Sequence, residues 1–414
     1  MKTTVALLTL LQLVIGSPPW TDNDGLTVQT TSGYVHGKLN GDVRQFLGIP
    51  FAEPPTGDLR FAPPQALGTP SSEVIEATAY PPSCMQWLGT PPSVYNRDVL
   101  EFNLQGLNET GNISEDCLTA AVWAPKEVKG PLPVLIFVYG GGFTTGGIDV
   151  PYQIPTQLVQ RKQDVIVVSF NYRVNIFGFP NAAGLESQNF GLLDQRLAVE
   201  WTRDNIAAFG GDNSRMVLWG QSAGASSVSY YVYSYSEDPI ISGFITDSGT
   251  ARDATTTTPF TTNFTYVASQ LGCSDPSEEL SCMRGLPADQ INNFLANYSN
   301  AQAQPPLTFR PVPDDKNVPV NITARTLNHQ LPNIPGIIGT NSQDGVPFVP
   351  FGPDELNKTL TEQARLSRFF CPSNYQISLR QRAGTRPTRT GTAATSPISV
   401  PDLGSERSTP ENCL

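Results

Sequence analysis

The chain has 414 residues, enough for one large α/β domain or two ordinary domains with a sizeable core. Its formal net charge is −11 at pH 7, so its surface repels a phosphate backbone, which excludes nucleic acid as a partner. Only 15% of the residues are charged, against about a quarter in an average protein, while 35 Gly and 37 Pro indicate many loops.

The N-terminus has the pattern of a secretory signal. Met1 and Lys2 precede an apolar run over residues 5–15, which Gly16 and Ser17 close. The run is too short to span a bilayer, and no later segment of the sequence is long and apolar enough for a transmembrane helix. We therefore expect a signal peptide over residues 1–17 and a secreted, extracellular product. Six glycosylation sequons fit that expectation: Asn108, Asn112, Asn263, Asn297, Asn321 and Asn357.

Six cysteines in an exported chain predict disulfide bonds, although spacing alone does not fix their connectivity. Cys273 and Cys282 could close a short loop, and Cys84 and Cys117 a longer one. No pairing is predicted for the two that remain, Cys371 and Cys413.

The first third of the chain is predicted to be mostly irregular. Residues 26–39 alternate around two glycines and predict an exposed hairpin. The prolines in residues 46–55 and 60–64 indicate an ordered, wrapping loop without regular structure. Residues 84–117 contain many turn formers and two sequons, and they predict a disulfide-tied surface flap.

The middle of the chain alternates between strands and helices. Strands are predicted at residues 134–139, 165–170, 216–219, 240–246 and 334–339, with a helix at 191–208. This alternation predicts a mostly parallel sheet flanked by helices, with loops at its carboxyl edge. After residue 380 the chain is rich in Arg, Thr, Ser, Pro and Gly, which predicts disorder. We expect one α/β domain over residues 18–379 and a disordered or aberrant tail over 380–414.

The sequence Gly220-Gln221-Ser222-Ala223-Gly224 follows a short β-rich run and precedes a segment that can start a helix. A strand, a sharp glycine-flanked turn and a helix form a nucleophile elbow, which exposes the serine hydroxyl. A structural turn is the alternative, because small residues cluster in many turns. Acyl transfer also needs donors for an oxyanion, and the backbone N–H groups of Gly141, Gly142 and Ala223 are candidates.

The acid of such a site should follow the serine and lie in a loop at the carboxyl end of a strand. Asp344 meets both conditions, although an Asp before a Gly is also common in ordinary turns. A base is harder to assign. The sequence contains two histidines, His36 and His329, and both precede Asp344, against the expected order.

Several motifs together resemble the type-B carboxylesterase and lipase family, in its fungal, cholinesterase-like branch. They are Phe-Leu-Gly-Ile-Pro, Pro-Pro-Thr-Gly-Asp-Leu-Arg-Phe, Glu-Asp-Cys-Leu, Tyr-Gly-Gly-Gly-Phe and the serine motif. The resemblance implies an α/β-hydrolase fold and disulfides Cys84–Cys117 and Cys273–Cys282. It implies Ser222 as nucleophile, Asp344 as acid, and Gly141, Gly142 and Ala223 as the oxyanion hole.

Members of that family are longer, and their catalytic histidine lies in a segment that this sequence does not match. We therefore expect a fold that is incomplete at the C-terminus, through truncation or a frameshift. The predicted function is hydrolysis of small-molecule or lipid carboxylic esters through an acyl-enzyme on Ser222, without cofactor or metal, and impaired in this chain for want of the base. The alternatives are a non-catalytic cholinesterase-like binding protein and a triacylglycerol lipase.

Overall fold

The computed structural model describes residues 25–89, 112–254, 262–349, 357–385 and 388–393. The signal segment, Asn108, Cys413 and much of the predicted surface flap lie outside these residues. The strands are β1 Thr27–Thr30, β2 Gly33–His36, β3 Lys38–Asn40, β4 Val43–Pro50, β5 Ile75–Glu76, β6 Ser83–Cys84, β7 Ile113–Ser114, β8 Thr119–Pro125, β9 Leu132–Val138, β10 Ile166–Phe170, β11 Gly211–Gln221, β12 Gly243–Asp247, β13 Gly336–Asn341 and β14 Thr388–Ala393.

The described α-helices lie between and after the strands of the second half. They are α1 Thr156–Lys162, α2 Asn175–Gly178, α3 Phe190–Asn205, α4 Ala223–Ser234, α5 Thr262–Gln270, α6 Glu279–Gly285, α7 Ala288–Asn300, α8 Ile322–Leu327, α9 Lys358–Arg365 and α10 Cys371–Arg382. A π-helical turn, Leu366–Phe370, joins α9 to α10. Of the helices described here, none has the length and apolarity to cross a membrane.

Nine strands form the main sheet, in the order β14-β13-β12-β11-β9-β10-β8-β4-β3. In this order, the strands from β14 to β10 run parallel to one another. Each of β8, β4 and β3 is antiparallel to the strand before it. This confirms the expected mostly parallel sheet with helices. Since parallel strands end at the same edge, β9, β11, β12 and β13 all deliver their following loops to one side of the molecule.

The strands at the centre of this sheet are buried on both faces. All five residues of β10 are buried, and so are all seven of β8. The buried side chains of β4, β8, β9, β10 and β11 belong to one apolar cluster, and a second cluster lies under α5, α6 and α7. A continuous core of this kind fixes the strand ends that carry the site.

Two expectations about local structure are wrong. Residues 46–50 are not a loop but belong to β4, because the prolines begin only at Pro50, the last residue of the strand. Residues 380–414 are not wholly a tail: α10 continues to Arg382, and β14 pairs with β13 along six residues. A strand added to a sheet edge is held by main-chain hydrogen bonds, which do not require apolar side chains. The domain boundary at 379 therefore falls inside a helix.

Disulfides join Cys84 to Cys117 and Cys273 to Cys282, the two pairs that the resemblance implies. Cys84 and Cys117 are buried in the main core cluster, while Cys273 is buried in the second one. Each bond thus ties a loop to a different part of the core. Cys371 is disulfide-bonded as well.

Candidate active site

The chain makes a sharp bend at Ser222, between β11 and α4. Ser222 has φ 56° and ψ −119°, a backbone conformation that costs a non-glycine residue about 1–3 kcal/mol and is concentrated at functional sites. Its N–H donates to the carbonyl of Asp247 at 2.8 Å. A Cβ on Gly224 would lie 2.0 Å from the carbonyl oxygen of Val138, so only glycine fits there. The GxSxG pattern and the strained bend thus coincide.

The glycine run after β9 passes directly beside this bend. A Cβ on Gly140 would lie 3.0 Å from the Cβ of Ser222, which places the two loops in contact. Gly141 has φ 113°, a conformation open to glycine, and its carbonyl accepts bonds from the N–H groups of Thr144 and Thr145. This folds the loop back so that its own first N–H groups remain at the surface.

Three backbone N–H groups belong to these two adjoining segments. Gly141 and Gly142 are exposed, and Ala223 is the first residue of α4, whose early N–H groups have no acceptor within the helix. Within the described parts of the chain, none of the three N–H groups donates a hydrogen bond. Free donors beside a helix N-terminus stabilise a negatively charged oxygen. Ser222 itself is half-buried.

A pair of stacked tyrosines holds the glycine run in place. The rings of Tyr139 and Tyr172 lie 4.5 Å apart, centroid to centroid. The Tyr172 hydroxyl donates to the carbonyl of Tyr139 at 2.9 Å, and the Tyr172 N–H donates to the Tyr139 hydroxyl at 3.0 Å. Both side chains are fully buried, so these bonds are shielded from water. The loop therefore leaves β9 from a fixed point.

Asp344 lies in the turn after β13, at the same sheet edge as Ser222. Its carboxylate accepts bonds from the N–H and the side-chain amide of Asn341, at 2.8 and 3.3 Å, and from the hydroxyl of Ser248. Burial raises the pKa of Asp344, and these hydrogen bonds and the nearby charge of Arg365 act in the opposite direction. Asp344 is thus a hydrogen-bond acceptor with a fixed orientation. It follows β13, which β12 separates from β11, the strand before Ser222.

Asp247 and Ser248, at the end of β12, connect the two sides of the site. The Asp247 carbonyl binds the Ser222 N–H, and its carboxylate accepts from the indole of Trp219 at 2.6 Å. Burial raises the pKa of Asp247, and the charge of Asp344 raises it further. Neither residue was predicted to belong to the site. The signal was the Asp-Ser-Gly sequence directly after the strand.

The two histidines lie apart from this group. His36 is on β2, and its Nδ1 is 2.9 Å from the Thr27 hydroxyl. His329 is exposed and follows α8, before β13 begins, whereas Ser222 and Asp344 follow the carboxyl ends of their strands. Neither histidine forms a hydrogen bond with Ser222 or Asp344 in the described structure. The structure thus brings together the predicted nucleophile, oxyanion donors and acid, and leaves both histidines outside.

An apolar cluster lies under the oxyanion donors. It contains Phe143 of the glycine loop, Ala223 of α4, and the side chains of Phe179, Leu192 and Val318. The Phe143 and Phe179 rings pack edge to face at 5.4 Å. Among the residues that the structure describes, no group of three His, Cys, Asp or Glu side chains could hold a metal ion. The packing under the oxyanion donors is thus apolar.

The sequence model of the carboxylesterase family matches residues 24–395 of the chain. A chlorogenic acid esterase from Aspergillus niger is 46% identical over 333 residues, which are 77% of this chain and 62% of that relative. Secreted lipase 5 of Gibberella zeae is 37% identical, over 91% of this chain and 78% of its own length. Lipase 2 of Diutina rugosa is 34% identical, over 87% and 68%. The chain therefore spans about three fifths of the length of the Aspergillus relative, and it belongs to the carboxylesterase family.

Proposed function

We propose that the chain carries the nucleophile, oxyanion hole and acid of a serine carboxylic ester hydrolase. Ser222 attacks the ester carbonyl, the bond to the alcohol breaks and the alcohol leaves, and water then hydrolyses the acyl-serine to release the acid. The N–H groups of Gly141, Gly142 and Ala223 bind the oxyanion, and Asp344 is the acid whose role is to orient a base. The observation that carries the proposal is the strained backbone of Ser222 beside three free N–H donors. Membership of the carboxylesterase family supports it.

The substrate class that we propose is carboxylic esters with an apolar acyl group. The apolar cluster under the oxyanion donors supports this, because an apolar environment next to the reacting carbonyl favours an apolar chain. The relatives described above are named as an esterase of chlorogenic acid and as lipases. A triacylglycerol lipase is thus the second candidate within the same chemistry.

We also propose that the 414-residue polypeptide is a slow catalyst because it lacks a base. His36 interacts with the Thr27 hydroxyl. His329 lies before the start of β13, whereas Asp344 lies after its end. Neither histidine is therefore placed to accept the proton of Ser222. In serine hydrolases, loss of the base costs about six orders of magnitude in rate, and the oxyanion hole and substrate binding supply what remains.

Chemical rescue by imidazole tests this proposal. Free imidazole can enter a site that has lost its base, so it should raise the rate of methyl butyrate hydrolysis in a saturable way, followed as acid release at constant pH. An unactivated ester keeps direct attack by imidazole low. The Ser222→Ala variant, measured in parallel, should show no saturable rescue.

Two results would contradict the proposal. Rapid turnover without imidazole, abolished in Ser222→Ala, would show that the chain has a base that we did not identify. Equal rates in the parent and Ser222→Ala proteins at every imidazole concentration would remove Ser222 as the nucleophile.

Export and glycosylation form the last part of the proposal. Relatives from Gibberella zeae are named as secreted lipases. Of the predicted sequons, Asn112, Asn297, Asn321 and Asn357 have exposed side chains, as an oligosaccharide requires, and Asn263 is half-buried. The expected result is a loss of mass on treatment of the secreted protein with an N-glycosidase.

A further inference from the structure

Two arginines lie side by side at the sheet edge that carries the site. Arg252 is in the segment after β12, five residues beyond Asp247, and Arg368 is in the π-helical turn after α9. The guanidinium of Arg252 donates a hydrogen bond to the main-chain carbonyl of Arg368. The two segments are therefore in direct contact.

Neither arginine has a carboxylate partner in the part of the chain that the structure describes. Seven other described arginines form ion pairs with Asp or Glu: Arg60, Arg173, Arg196, Arg203, Arg215, Arg325 and Arg365. Burial lowers the pKa of Arg252, and the like charge of Arg368 lowers it further. In a chain of net charge −11, acidic side chains are plentiful. Two adjacent guanidinium groups without a carboxylate partner create a site of positive electrostatic potential.

Both arginines lie near elements of the proposed catalytic site. Arg252 interacts electrostatically with Tyr230 of α4, and Tyr230 packs against the apolar cluster that contains Ala223. Arg368 lies over the ring of Phe348, with 4.9 Å between the guanidinium carbon and the ring centroid. Phe348 is in the turn that follows Asp344, and 40% of its surface is exposed. The pair thus has one neighbour in the helix that follows Ser222 and one in the turn that follows Asp344.

We propose that Arg252 and Arg368 form a subsite for a carboxylate. The ligand would be the carboxylate group of an ester substrate, or of its product, and its ring or chain would lie against Phe348. Guanidinium groups bind carboxylates through two parallel N–H donors, and the exposed aromatic ring adds apolar contact. The proposal rests on the proposed function for the identity of the reacting ester, and it adds that the preferred esters carry a negative charge.

Calorimetric titration with benzoate, and with benzamide as a neutral analogue, tests the subsite at low ionic strength. The proteins are the full 414-residue chain, the Arg252→Gln and Arg368→Gln variants and their double variant. Arg215→Gln is the control, because Arg215 is exposed and pairs with Asp212 near the opposite end of β11. We expect benzoate to bind the parent, Arg215→Gln to match it, and the double variant to bind roughly tenfold more weakly or worse. Benzamide should bind poorly to all of them.

Any of three results would overturn the subsite: no benzoate binding to the parent, equal binding to the double variant, or equal binding of benzamide and benzoate. A circular dichroism spectrum of each variant shows whether it is folded. The titration needs no turnover, so it is independent of the imidazole experiment. If imidazole gives no rescue but benzoate still binds, the hydrolase proposal fails and the carboxylate subsite stands. If imidazole rescues the rate but benzoate does not bind, the subsite fails and the hydrolase proposal stands.

Discussion

At the scale of single residues, the backbone and the hydrogen bonds of Ser222 and Asp344 define the site. The serine, its glycines and Asp344 could be predicted from local sequence, because a tight turn leaves a local signature. Asn341, three residues before Asp344, is a partner that lies close to it in the chain. Ser248 could not be predicted as a partner, because its contact with Asp344 depends on the ends of β12 and β13 being neighbours, which one sequence does not reveal.

The titration of Asp344 should affect stability. Burial raises its pKa in the folded state, so the folded protein holds this proton more tightly than the unfolded chain does. The stabilisation is complete below the unfolded pKa of about 3.9 and is lost as the pH rises through the folded pKa. The neutral variant Asp344→Asn should therefore gain in Tm relative to the parent as the pH rises above the unfolded pKa of about 3.9.

Asp212 provides a control of opposite sign. Hydrogen bonds from Ser214 and Arg215 lower its pKa to about 2, so its contribution is present above the unfolded pKa and is lost as the pH falls. Asp212→Asn should thus be less stable than the parent at neutral pH, with a smaller difference in acid. A difference in Tm between Asp344→Asn and the parent that does not change with pH would contradict our account of Asp344.

At the scale of elements, buried polar contacts join the helices to the sheet. The helix α3 was predicted from Leu193, Leu197 and Trp201, but Leu193 and Leu197 are only partly buried. Asp194 of this helix is a fully buried charged side chain, and it binds Arg173, which follows β10. Hydrophobic spacing predicted the helix but not its buried charge, because the partner lies in another element.

Loss of Arg173 should therefore be costly. Its guanidinium binds both oxygens of Asp194, at 2.7 and 2.9 Å, and both side chains are buried. Arg173→Met leaves Asp194 without a counterion, and we expect a loss of about 3–5 kcal/mol in the free energy of unfolding. Urea denaturation measures it.

Arg203→Met is the matched control, because Arg203 and Asp204 form an exposed ion pair. Such pairs contribute about 0–1 kcal/mol. If both variants lose equally little stability, the buried pair does not hold α3 to the sheet.

At the scale of the whole molecule, the fold class could be predicted and the strand order could not. Alternating strands and helices indicate a parallel sheet, but β9 lies between β10 and β11, an order set by crossovers. The strand β14 was missed because its composition cannot form a core of its own. It adds to an existing edge, where β13 already supplies the partner groups.

The disulfides Cys84–Cys117 and Cys273–Cys282 should contribute unequally to the free energy of unfolding. Cys84–Cys117 spans 33 residues and Cys273–Cys282 spans 9. From loop-closure entropy, replacing both cysteines by alanine should cost about 3.7 kcal/mol for the longer loop and about 2.6 kcal/mol for the shorter one. Urea denaturation of the two double variants measures both losses, and the reverse order would contradict an entropic origin.

The bond from the Ser222 amide to Asp247 has one more consequence. The bend at Ser222 is held through its main chain and through close glycine contacts, and in the described residues its hydroxyl forms no internal hydrogen bond. Shape and reactivity are therefore separate properties at this position. A variant without the serine oxygen should therefore keep the same turn, so a change in ester turnover there would report on chemistry alone.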